Sequence, residues 1–224
     1  MAGPAGRREM AGRREMAGRR EMAGRPLQPI WPPLKIAYTA FIAVVAATYW
    51  HAYGPYHLLW LCDVAMLMMA AAVWLESRLL ASMVCVGFLP TELLWTVDFV
   101  IQPVVPGNGM SIADYMYSTG LPLVLRVLSG FHVVLLGMMV VTLARWGYDR
   151  RALMRQLPVS WVLFVVTWLT TRPERNINWV YGWGDSPQNV ASEWAYFLFA
   201  LAVVTATHVL AHLALRVIVR ERAA

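Results

Sequence analysis

LPLVLRVLSGFHVVLLGMMVVTLA, residues 121–144, decides the fold. Its only ionisable side chains are Arg126 and His132, and as a helix it is long enough to cross a hydrocarbon core of about 30 Å, which takes about 20 residues. Five further apolar stretches flank it, at about residues 34–50, 57–75, 79–102, 157–171 and 194–215. The run at 157–171 is the shortest, and it spans only if Arg155 and Arg172 extend along their apolar stems to the headgroups. The composition agrees: 59% of the 224 residues are hydrophobic, 14% are charged, and mean hydropathy is +0.51. A soluble core does not need so much apolar surface, so the expected fold is an all-α polytopic membrane bundle of about six transmembrane helices.

Residues 26–224 form this membrane domain, and residues 1–25 are a different kind of sequence. There AGRREM occurs three times in tandem, at 5–10, 11–16 and 17–22, and a repeat of this composition has nothing to bury. It reads as a disordered basic tail. Because each repeat ends in Met, the start codon is Met1, Met10, Met16 or Met22 on the sequence alone. The paired arginines are not followed by the apolar continuation of a twin-arginine signal. The stretch that follows the tail is long for a cleavable secretory signal and lacks a clear small-residue cleavage site.

Net charge is +6, from 19 Lys and Arg against 13 Asp and Glu. The basic residues lie in short runs beside apolar segments and form no continuous face, so a nucleic-acid partner is not expected and the lipid bilayer is. With the N terminus inside, sixteen basic residues fall on the inner side and only Arg172 and Arg175 on the outer side. The positive-inside rule therefore places both termini in the cytoplasm of a cell membrane. Near-exclusive use of Arg over Lys, with abundant Ala, points to a GC-rich bacterial coding sequence.

Ionisable residues within spans carry the candidate chemistry, because each costs about 2.5–3.5 kcal/mol at mid-membrane unless it is paired. Asp63, Asp98 and Arg126 fall at similar depth, roughly 6–9 Å below the outer ends of spans two, three and four. Two carboxylates and a guanidinium at one level predict an ion pair between Arg126 and the acids. Glu92 lies deeper and close after Pro90, and His132 lies on the mid-membrane side of Arg126. These five residues are the candidate polar layer, read either as a structural ion network or as a pocket for a small-molecule or lipid ligand.

His208 and His212, at i and i+4 on span six, have the spacing to share a zinc ion, though the Glu of an HExxH zinc-protease helix is missing. The outer stretch TTRPERNINWVYGWGDSPQ, residues 170–188, is too polar to span and has the position of a lid over the polar layer. Aromatic residues such as Trp50, Trp60, Trp179 and Trp194 fall at outer span ends, where amphipathic rings settle. The sequence holds no glycine-rich phosphate loop, no GxSxG elbow, no metal-spaced Cys pair and no N-x-S/T site. Different depths of Cys62 and Cys85 argue against a disulfide.

The runs YGPYHLLWLCDVAML (53–67), LPTELLWTVDFV (89–100), PLVLRVLSGFHV (122–133), GYDRRAL (147–153) and PERNINWVYG (173–182) are similar to a bacterial family of multi-pass proteins labelled membrane-associated protein. The resemblance covers about residues 34–215 and includes Asp63, Glu92, Asp98, Arg126, His132 and Asn178. It implies a membrane location and brings no established activity. Two function classes therefore stay open: a binding or structural membrane protein with no cofactor, or an intramembrane zinc-dependent hydrolase acting on a lipid.

Overall fold

The structure is a computed structural model that describes residues 28–105, 112–184 and 186–219. The expected disordered tail at 1–25 lies outside the described residues. Helix α1, Pro32–Tyr53, starts on two prolines, whose missing N–H groups cost nothing in a first turn, and ends at Gly54 with φ +83°. A 3-10 turn, Pro55–Leu59, leads to α2, Leu61–Trp74. Ser77 caps α3, Arg78–Ile101, by accepting the Leu80 N–H. The fourth pass is built from α4, Leu123–Ser129, and α5, Phe131–Trp146, with the joint at Gly130. Helices α6, Ala152–Thr170, and α7, Glu193–Ile218, complete the chain.

Five passes are long and apolar enough to span a membrane: α1, α3, α4 with α5, α6, and α7. Helix α2 is shorter, at 14 residues. The expected order of lengths is thus corrected. The second pass is the short one, because Gly54 and Pro55 end α1 in a turn that uses up residues 55–59. The fifth pass is not short, because α6 begins at Ala152 and takes the polar Gln156 into the bundle interior. The protein is an all-helical membrane bundle of about six helices.

Helix α3 is the axis of the bundle and packs against α2, α5, α6 and α7. Small and flexible side chains make these contacts close: Ala65, Met66, Met69 and Ala72 of α2 meet Val84, Cys85 and Phe88 of α3 and Leu135, Met138 and Met139 of α5 within one buried cluster. Gly87 lets α6 approach, since a Cβ there would lie 2.8 Å from the Gln156 side-chain nitrogen. Large apolar residues such as Leu123, Val127, Leu198, Leu210 and Val217 remain exposed, as lipid-facing surface does.

Alternating passes put the two described chain ends at one end of the bundle. There Trp146 donates to the Gln28 carbonyl at 2.8 Å, Lys35 pairs with Glu76 at 2.6 Å, and the Tyr148 hydroxyl meets His212 Nδ1 at 2.7 Å. In the 147–151 connection Arg151 grips Asp149 through Nε at 3.1 Å and Nη2 at 2.8 Å, which holds the carboxyl below its ordinary range. We call this the inner end, after the arginine count, and the end carrying Arg175 the outer end.

Candidate functional site

Near the outer end, α3 turns Glu92, Trp95 and Asp98 inward and Leu93, Leu94, Val97 and Val100 outward. Successive inward positions three residues apart keep the polar groups on one stripe. Glu92 Oε2 lies 2.7 Å from His132 Nδ1, a contact that requires one proton between them. Both side chains are buried, at 1% and 9% exposure. The imidazole stacks on Trp95 at 4.2 Å, and Trp95 Nε1 donates to the Tyr115 hydroxyl at 3.1 Å. On the same level Tyr49 of α1 and Ser129 of α4 share a 2.6 Å hydrogen bond.

Asp98 and Arg126 do something other than the expected ion pair. Asp98 Oδ2 accepts the backbone N–H groups of Ile112 and Ala113, at 2.7 and 2.8 Å. Arg126 Nη1 donates to the Met116 carbonyl at 3.2 Å, and among the described residues no carboxylate pairs with it. The two side chains hold the same crossing between α3 and α4, one by its N–H groups and one by a carbonyl. The reason is that non-helical backbone near the membrane must find partners for its polar groups, and these charged side chains supply them.

Asp63 sits in the first turn of α2, where the helix dipole favours negative charge. It is 1% exposed, and its Oδ1 has no hydrogen-bond partner. Its Oδ2 is 3.9 Å from His57 Nε2, too far for a hydrogen bond and near enough for an ion pair if the imidazole is protonated. His57 lies in the 3-10 turn above α2, stacked on Tyr53 at 4.4 Å. Burial, and secondarily the positive charge of Arg175, lower its pKa to about 4. His57 also lines a cleft of about 360 Å³ at the outer end, together with Ala52, Tyr53, Trp60, Arg175 and Ile177. By hydropathy His57 opens a span, and the signal that sets it apart is its place in a Gly-Pro turn beside a first-turn Asp.

The loop after α6 closes this end. Two 3-10 turns, Pro173–Arg175 and Ile177–Trp179, meet at Asn176, whose φ of +36° is a left-handed conformation that Asn tolerates. Asn176 Nδ2 donates to the carbonyls of Gly182 and Gly184, at 2.8 and 2.7 Å, and its Oδ1 accepts the Tyr181 N–H at 2.9 Å. Asn178, φ +54°, reaches across the bundle: its Oδ1 accepts the N–H of Leu61, the first residue of α2, at 2.8 Å, and its Nδ2 donates to the Leu59 carbonyl at 2.7 Å. The segment is thereby seated on the start of α2, two residues from Asp63.

His208 and His212 are engaged separately. His208 Nε2 meets Ser160 Oγ at 2.8 Å, and Ser160 accepts from Gln156 Nε2 at 3.0 Å, while His212 bonds Tyr148. Among the described residues no group of three or more His, Cys, Asp or Glu side chains is placed to hold a metal ion. Cys62 and Cys85 are both free thiols. No family model matches the chain, and the comparisons with curated proteins and with solved structures likewise return no match.

Proposed function

We propose that the chain is a membrane binding protein whose ligand enters at the outer end, between α1, the Pro55–Leu59 turn and the Pro173–Arg175 turn, and is met by ionisable side chains fixed below. The arginine distribution supports placing it in a bacterial cell membrane with both termini cytoplasmic, and membership of the membrane-associated protein family it resembles belongs to the same proposal. One observation carries the reading. Asp63 is buried with Oδ1 unbonded, and its Oδ2 lies 3.9 Å from His57, which lines the cleft. A carboxylate kept there at a cost to folding, which the helix dipole only partly offsets at about 0.3–1 kcal/mol, is the pattern of a residue retained for a ligand. No observation favours the zinc-dependent hydrolase, since His208 and His212 bond to hydroxyls on different elements.

The test is the stability of Asp63→Asn in detergent. If the carboxylate serves a ligand, the variant is at least as stable as the parent and gains up to about 2 kcal/mol. A loss of more than about 2 kcal/mol would make Asp63 a structural group and end this reading.

A further inference from the structure

The chemistry of the cleft names a ligand class, an inference that rests on the reading of the cleft as a binding site. Arg175 is exposed at its rim. The guanidinium is steadied by one hydrogen bond, from Nη1 to the Tyr53 carbonyl at 3.3 Å, and by the Tyr56 ring 6.0 Å from its carbon. Among the described residues no carboxylate pairs with it, and it lines the cleft. His57 lines the same cleft, and Oδ2 of Asp63 lies 3.9 Å from its Nε2. A planar guanidinium is suited to a phosphate diester, and the Tyr53 and Trp60 rings match the level at which phospholipid headgroups lie.

We propose that this cleft binds a phosphate diester, held by the Arg175 guanidinium together with the His57 imidazole that lines the same cleft. In the free site His57 is neutral, because it is buried and because Arg175 repels a second positive charge. The charged and titratable groups around His57 are Asp63 with Cys62 from α2, Arg175 from the outer loop, and the hydroxyls of Tyr49 and Tyr53 from α1. The outer half of α6, which also packs on this turn, carries no titratable side chain. A neutral His57 serves the diester as an N–H donor, and Arg175 carries the positive charge that holds it.

Two probes separate the possible sources of the group: dihexanoyl phosphatidylglycerol, a headgroup with short chains, and dimethyl phosphate, the diester alone. Dihexanoylglycerol is the phosphate-free control. Binding to the full chain in a phosphate-free, non-ionic detergent is followed by tryptophan fluorescence, with Trp60 in the cleft wall. The expected result is binding of phosphatidylglycerol that falls at least tenfold in Arg175→Gln, falls at least threefold in His57→Leu, and is unchanged in Arg172→Gln. Comparable binding of dimethyl phosphate would assign the site to a free diester, and much weaker binding would assign it to a lipid; both support the phosphate site. Equal binding by parent and Arg175→Gln, or failure of both phosphate probes to bind, overturns it. If Asp63→Asn is then still at least as stable as the parent, only the ligand class has failed; if Asp63→Asn is destabilised, the cleft reading has failed with it.

Discussion

Replacing His132 by leucine is expected to lower stability in detergent by about 3–5 kcal/mol, and adding Glu92→Leu to that variant is expected to restore part of the loss. Glu92 and His132 are both buried and are joined at 2.7 Å across α3 and α5, the most extensively packed helix pair of the bundle. With the imidazole gone, the carboxyl group keeps its desolvation cost and loses its 2.7 Å contact with a neighbouring helix. Removing both groups removes the penalty as well, so the two changes must be strongly non-additive. Glu92→Gln should be milder than either, because its carbonyl still accepts from Nδ1–H. Denaturant unfolding of the two single variants and the double variant gives the coupling directly. Additive losses would mean that the contact does not bear on folding.

A second large effect is expected at Asn178. Asn178→Leu keeps the volume but leaves the Leu61 N–H and the Leu59 carbonyl without their partner, at about 1–3 kcal/mol for each group that stays dry. The left-handed backbone adds about 1 kcal/mol for a residue other than Asn or Gly. With both groups dry these give a loss of about 3–7 kcal/mol, and with one of them rehydrated about 2–4 kcal/mol. They also free the segment around Arg175, so tryptic cleavage there should become much faster under native conditions. Asn178→Gly relieves the backbone and loses the same hydrogen bonds, which separates the two causes. If Asn178→Leu matched the parent in both stability and cleavage rate, the loop would not be pinned through this side chain.

The passes were legible because length and polarity decide them, and α3, α4 with α5, and α7 follow the apolar runs within a few residues. Span two was misjudged since hydropathy alone does not register a Gly-Pro turn, and residues 55–59 are apolar without being part of α2. In the polar layer, sequence gave depth but not direction. Asp98 and Arg126 do lie near the outer end, yet both turn to the backbone of residues 112–116, a demand that only the folded crossing creates. Asn176 and Asn178 both adopt positive φ, a conformation that Asn tolerates. Nothing local could show that Asn178 reaches the start of α2 from 117 positions away. His57 became visible only when its turn was placed beside Asp63 and Arg175.

The account turns on the cleft opening at the outer end, opposite the arginine-rich loops. The measurement that tests this most directly is labelling of single cysteines in intact cells by a membrane-impermeant maleimide, in a background with Cys62→Ser and Cys85→Ala. Cysteine at position 175 is predicted to label without permeabilisation, and cysteine at position 150 only after it. Labelling of position 150 in intact cells, with position 175 protected until the membrane is opened, would put the cleft on the cytoplasmic side and contradict the account.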